Sequence, residues 1–347
     1  MKASYIDYSD TQSFSKTLLA YLSKEEELKE FYGNFPDLPG FEAQIRQKKD
    51  FDNRDLLVKE LRKQYQAVNQ TSDAVLQNIE ALATKGTYTV TTGHQLNIFT
   101  GPLYFIFKIV STIKLAKTLK AAFPENDFVP VYWMATEDHD FEEINNTNVY
   151  GKKISWDEPK KAATGRMSTA TMSQVVRQYC SMLGLSDNSG KLTNLVEQAY
   201  LKGYQLADAT RELVNALFKE YGLVIIDADR RAFKKSFSPI IKQDILSEKS
   251  YKAISNTSER LEQKGFSTQV HSREINFFYL TEDFRERIIK LDDGRYEVLH
   301  QQKFFTEEEL LKELDEFPER FSPNVVMRPL YQELILPNLA YIGGGAE

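Results

Sequence analysis

Apolar and polar positions along this chain follow two rhythms, a helical one and one of short unbroken apolar runs, and their order predicts the fold. Over residues 13–85 the rhythm is helical. Leu18, Leu19, Tyr21 and Leu22 make one apolar face, and Leu56, Leu57, Leu61, Tyr65 and Val68 recur at three- and four-residue spacing. Val75, Leu76, Ile79, Leu82 and Ala83 form a third stripe that Gly86 closes. Phe35-Pro36 and Leu38-Pro39-Gly40 break the series. Such stripes predict a helical layer lying on a sheet, with a substrate lid as the functional alternative.

The organising stretch is residues 87–143. A β-rich run, 87–92, ends in the turn Gly93-His94-Gln95-Leu96-Asn97. Gly101-Pro102 opens a long apolar-periodic helix, with proline at its first position, and Phe123-Pro124 ends it. A buried-strand run at 128–134 then terminates in Thr136-Glu137-Asp138-His139-Asp140. Strand–helix–strand predicts parallel strands, so both polar turns fall at the carboxyl edge of one sheet, where open α/β folds bind ligands.

Residues 145–170 are polar and short-patterned, which suits a hairpin or irregular insertion. Helices are expected over about 172–183 and 192–221, with Gly222 closing the second, and a third strand follows at Leu223-Val224-Ile225-Ile226. It too ends in a polar cluster, Asp227-Ala228-Asp229-Arg230-Arg231. A charged helix over 232–264 precedes short strands at 277–280, 287–291 and 296–299, with Asp292-Asp293-Gly294 as a hairpin turn. After a helix over 307–317, Leu339-Ala340-Tyr341-Ile342 reads as a fourth strand meeting Gly343-Gly344-Gly345. A chain that stops as a strand enters a binding-type loop reads as a shortened one.

At 347 residues, 41% hydrophobic and 27% charged, the chain can bury a large core. A net charge of −6 gives no basic field for nucleic acid or an anionic membrane. Cys180 is the only cysteine, which excludes an internal disulfide and a Cys-rich zinc site and suits a reducing cytoplasm. No apolar run approaches a bilayer span, so a cytoplasmic protein without membrane or nucleic-acid partners is expected.

Candidate chemistry gathers at the strand ends. Gly93, His94, Gln95 and Asn97 offer a glycine, an imidazole and two amides before a helix N-terminus, a setting that holds a phosphate or carboxylate. A polar turn with a structurally bonded histidine accounts for them equally well. The spacing is neither a Walker A nor a dinucleotide fingerprint. Glu137, Asp138, His139 and Asp140, with Glu142 and Glu143, surround one imidazole with carboxylates that can fix its tautomer or bind a cation. The alternative is a solvated acidic turn. Asp227 and its neighbours suit a ribose, an anion or a surface turn; Arg328 suits a carboxylate, a phosphate or a surface ion pair. Gly343 and Gly344 permit close backbone approach to a ligand, or form a loose end.

Thr92-Gly93-His94-Gln95, Phe99-Thr100-Gly101-Pro102-Leu103-Tyr104 and the run from Pro130 through Glu137-Asp138-His139-Asp140-Phe141-Glu142-Glu143 occur together with Arg328-Pro329-Leu330-Tyr331-Gln332 and Ala340-Tyr341-Ile342-Gly343-Gly344. In these the chain resembles the bacillithiol-biosynthesis cysteine-adding enzymes (BshC), over residues 87–347. The resemblance implies a Rossmann-like core, similar to class I aminoacyl-tRNA synthetases and nucleotidyltransferases. Residues 1–86 would be a helical layer packed on a core of 87–347, with insertions at about 145–205 and 250–320. It implies a ligase that joins L-cysteine to the amino group of glucosaminyl malate, the last step to bacillithiol. No metal or tightly bound cofactor is expected, and ATP or another nucleotide would be the activating co-substrate. The His94 turn takes the place of the synthetases' nucleotide-binding signature, and no Lys-Met-Ser-Lys-Ser counterpart is present. Family members pair through a coiled coil that this chain does not include. On this reading His94 stabilises the departing anion, while an acidic residue or His139 takes the amine proton. Two rival readings are a metal-dependent phosphoesterase or deacetylase built on Asp138-His139-Asp140, and a non-catalytic sugar- or nucleotide-binding protein.

Overall fold

The structure, a computed structural model, describes residues 4–48, 50–158 and 162–344. The chain begins with α1 (Lys16–Leu22), α2 (Leu38–Gln47), α3 (Arg54–Tyr65) and α4 (Asp73–Ala81). Leu38-Pro39-Gly40, expected to break the helical series, instead starts α2. Asp37 caps it by accepting from the Gly40 N–H at 2.9 Å, and Pro39 sits in the first turn, where no intrahelical N–H bond is lost.

Then come β1 (Thr87–His94), α5 (Leu103–Ala122) and β2 (Asp127–Met134). Pro102 occupies the position just before the first helical residue, one place earlier than expected. A short α6 (Phe141–Ile144) and the hairpin β3 (Asn146–Val149) and β4 (Lys152–Ser155) follow. α7 (Ser173–Met182), α8 (Asp187–Tyr200) and α9 (Leu206–Phe218) lead to β5 (Val224–Asp227). The single helix expected over 192–221 is therefore broken, where the chain turns through Gly203 at φ +71°. The stretch 232–264 is likewise split into α10 (Arg231–Ser247) and α11 (Lys249–Gln263), with Glu248 left-handed between them. An antiparallel unit follows, formed by β6 (Phe277–Leu280), β7 (Arg285–Lys290), β8 (Tyr296–Val298) and β9 (Lys303–Phe305). α12 (Glu307–Glu316), β10 (Phe321–Pro323), α13 (Arg328–Ile335) and β11 (Asn338–Tyr341) complete the chain. The helix at Arg328 was not read from the sequence.

The central sheet has the order β11-β1-β2-β5, and all its pairings are parallel. β1 and β2 keep one register from Thr87 opposite Asp127 to His94 opposite Met134, so both strands end at the same level. Side chains along β2 alternate between two cores. Val129, Val131 and Trp133 face one that also holds Leu57, Val75, Phe237 and Tyr331, from α3, α4, α10 and α13. Tyr132 and Met134 face another with Phe105, Ile109, Val176 and Leu213, from α5, α7 and α9. Period-two alternation into two apolar layers is why these strands read as unbroken apolar runs. The second sheet, β10-β6-β7-β8-β9, is antiparallel throughout and shares the first of these cores.

Candidate active site

Each strand of the parallel sheet hands the chain to a polar turn at the same edge, and hydrogen bonds tie the turns together. The Ala135 N–H donates to the His94 carbonyl at 3.1 Å. Gln95 Nε2 donates to Asp138 Oδ2 and Glu143 Oε2, both at 2.7 Å, and Asn97 Nδ2 donates to the Glu143 carbonyl at 3.1 Å. One amide thus separates two carboxylates that would otherwise repel. On the other flank the Thr136 hydroxyl donates to Asp227 Oδ1 at 2.6 Å, which also accepts the Asp229 N–H at 3.0 Å. On the β11 side the Thr92 hydroxyl donates to the Ile342 carbonyl at 2.8 Å, and Lys108 Nζ donates to the Gly93 carbonyl at 2.6 Å. A Cβ at Gly93 would lie 2.8 Å from the Tyr341 hydroxyl and oblige that side chain to shift.

The turn after β2 forms one wall of a cavity of about 510 Å³, closed on the other side by the antiparallel unit. Glu137, Asp138 and Asp140 give that wall its acid, and Arg285, Arg287 and Arg328 face into the same space. A larger groove of about 670 Å³ runs between α5 and the end of α9. Its lining is mostly apolar, and it lies along the helices and away from the strand ends, so the chemistry belongs to the 510 Å³ cavity.

Two cations, Lys234 and Arg285, are fixed in the cavity wall. Lys234 of α10, wholly buried, forms an ion pair with Glu137 and donates to the Phe321 carbonyl at 3.0 Å. Burial pushes the Glu137 carboxyl above the ordinary range, while the Lys234 charge pulls the other way. Asp140 is also raised, by burial and then by neighbouring Asp138. Arg285 is held by three acceptors: Ser322 Oγ and the Pro323 carbonyl, each at 3.0 Å, and His139 Nδ1 at 3.0 Å. Its guanidinium lies 3.9 Å above the Phe278 ring. Burial pulls Arg285 below its usual range, against the surrounding carboxylates. Beside the cavity, Arg166 grips Asp229 through two bonds at 2.7 and 2.9 Å.

Of the residues expected from sequence, Glu137, Asp138, His139, Asp140 and Arg328 line this cavity. Gln95 reaches it through Asp138, whereas Asn97 bonds Glu143, which lies outside its lining. His94 does not share it: its ring packs on Phe105 and Tyr104 of α5, with centroids 5.2 and 6.3 Å apart, whereas His139 packs on Phe278 and Arg285. The two turns converge; the two imidazoles face different elements. Gly343 and Gly344 follow β11 on the His94 side, where Gly344 packs against Tyr104, and Gly345 lies outside the described residues. Asp227 lines a separate cleft of about 320 Å³ with Arg166 and Asp229. Arg328 donates to Gln332 at 2.9 Å and lies over the Tyr341 ring. Ligand atoms of Asp138, His139 and Asp140 lie within 4.8 Å of one another, close enough to share a cation, but Arg285 already occupies His139 Nδ1.

Sequence reasoning missed Lys234, Arg285 and Arg287. The signal for Arg285 was its spacing from Arg287: two arginines at i and i+2 of a strand share a face. Lys234 follows Phe233 in the Phe233, Phe237, Ile241 stripe, at the flank of a buried face.

A parallel sheet covered by helices on both faces, with its polar turns gathered beyond the strand ends, is the Rossmann-like class of α/β protein. Residues 1–347 match the family described as "Bacillithiol biosynthesis BshC, N-terminal Rossmann-like domain". The chain belongs to that family. It is 51% identical over 350 residues to a protein of Flavobacterium johnsoniae named "Putative cysteine ligase BshC", covering all of this chain and 65% of the relative. Relatives of the same name from Flavobacterium psychrophilum and Cytophaga hutchinsonii are 50% and 42% identical, over 100% and 99% of this chain and 65% and 63% of their own lengths. The chain therefore spans just under two thirds of the length of these three relatives. Among the described residues no helix is long and apolar enough to cross a membrane.

Proposed function

We propose that this chain carries the active site of a ligase that joins L-cysteine to the amino group of glucosaminyl malate, giving bacillithiol. The observation that carries this reading is the two-signed cavity of a BshC-family chain, acidic on the β2 turn and lined by arginines opposite. An amino sugar linked to malate has the matching pattern: its amine meets Glu137 and Asp140, and its carboxylates meet Arg287 and Arg328. Raised carboxyls suit the task, because a base of higher pKa accepts an amine proton more readily. The amine nitrogen attacks the cysteine carboxyl carbon, a C–N bond forms, and the proton passes to a wall carboxylate. The displaced carboxyl oxygen leaves with a phosphoryl or nucleotidyl group, so a nucleotide co-substrate, ATP first among them, completes the balance.

The test is mass spectrometry for bacillithiol after mixing the protein with cysteine and glucosaminyl malate, with and without ATP. Product is expected, and His139→Ala lowers its rate roughly a hundredfold. Absence of product under every nucleotide tried, with glucosaminyl malate shown to bind, would replace the ligase with a binding protein.

A further inference from the structure

His139 is held by a guanidinium where a histidine base is usually held by a carboxylate. Arg285 Nη1 lies 3.0 Å from His139 Nδ1. A guanidinium carries only donors and keeps its protons, so Nδ1 must receive this bond through its lone pair. The proton of the neutral ring then sits on Nε2. The competing arrangement needs Asp138 to accept a proton from Nδ1, but its Oδ1 stands 3.8 Å away, beyond hydrogen-bond reach. Both Asp138 oxygens are also engaged elsewhere, Oδ2 with Gln95 at 2.7 Å and Oδ1 with the Asp140 N–H at 3.3 Å. Arg285 has little freedom to leave, since Ser322, Pro323 and the Phe278 face fix the rest of its fork.

We propose that Arg285 is a positioning residue that locks His139 as its Nε2–H tautomer, so that His139 serves the cavity as a hydrogen-bond donor to an oxygen of bound substrate and not as a base. In a carboxylate-held histidine the proton sits on Nδ1 and Nε2 is free to take another. Here the order is reversed. Nε2–H points away from Arg285 on a side chain that is 32% exposed and lines the cavity. The identity of the oxygen, a carboxyl oxygen of the acid being activated, rests on the ligase reading; the tautomer does not. The amine proton then falls to Glu137 or Asp140.

The tautomer is read directly from long-range proton–nitrogen correlation spectra of histidine-labelled protein, at a pH where the rings are neutral. The chain has four histidines, and the spectrum of His139→Gln identifies the one in question. The expected wild-type pattern is an unprotonated Nδ1 and a protonated Nε2. Arg285→Lys keeps that pattern, because an ammonium also only donates. Arg285→Met admits the Nδ1–H form, and product formation falls about a hundredfold while Arg285→Lys stays within about tenfold. A protonated Nδ1 in wild type or Arg285→Lys overturns the assignment, as does an unchanged pattern in Arg285→Met. Should Arg285→Met not fold, the wild-type and Arg285→Lys spectra decide alone. An Nε2–H pattern in a protein that makes no bacillithiol would sink the ligase and leave the tautomer standing.

Discussion

Replacing Lys234 with Met removes the cation from under Glu137 while keeping an apolar stem of similar length in place. Lys234 is wholly buried and lies 5.2 Å from the Tyr331 ring. Removing one partner of a buried pair costs about 3–5 kcal/mol, because the other charge stays behind uncompensated. Glu137 is 14% exposed and Arg285 remains nearby, which puts the expected loss at the lower end, about 3 kcal/mol. The loss depends on pH with a definite sign. Burial raises the Glu137 carboxyl in the folded state, so the folded protein binds this proton more tightly than the unfolded chain. Stability from this group is full at acid pH and drains away as pH rises through the raised value. Losing Lys234 lifts that value further, so the penalty is smaller at pH ~5 than at pH ~7.5. Urea unfolding followed by the fluorescence of Trp133 and Trp156, both buried, measures it at the two pH values. Adding Glu137→Gln should restore more than half of the loss at the higher pH. A penalty under about 1 kcal/mol, or one equal at both pH values, would refute the buried-pair argument.

Gln95→Leu cuts the tie between the first two turns; hydrogen exchange of residues 95–100 and 138–143 should quicken, at a cost of about 1–3 kcal/mol. Gly165→Ala would drive a Cβ to 2.7 Å from the Thr136 Cβ and 2.8 Å from its carbonyl, so calorimetry should show a lowered melting temperature from about 1–3 kcal/mol of overpacking. The Tyr65 hydroxyl accepts the Ile225 N–H at 2.7 Å in the core, and Tyr65→Phe should cost about 1–3 kcal/mol by orphaning it, measured by urea titration.

The parallel sheet and the level of its strand ends were legible because β2 and β5 are buried on both faces, and such strands leave unbroken apolar runs that end abruptly in charge. That abruptness located Glu137, Asp138, His139 and Asp140. Where His94 points was not legible. A turn's sequence shows which side chains it offers, but the Phe105 and Tyr104 rings that receive this one belong to the next helix. Lys234 and Arg285 escaped for a related reason. In a sequence a buried cation looks like a solvated one until its partner is placed, and their partners lie 97 and 146 residues away. The breaks fall at Gly203 and Glu248, both left-handed, and at Gly203 the apolar spacing continues from Leu201 to Tyr204 and Leu206.

The first strand of the sheet is completed by the last. Thr89 of β1 meets Asn338 of β11, 249 residues later, and Lys48 and Asn53 of the opening layer bind Glu333 and Leu334 at 2.8 and 3.0 Å. A ribosome making this chain therefore releases β1 and its helices long before the residues that hold them exist. Pairing so distant in sequence is slow, since the intervening loop must be closed before any contact rewards it. While it waits, the nascent β1 keeps one bare edge of unpaired amides, so chaperone demand should concentrate on the interval between synthesis of β1 and of β11.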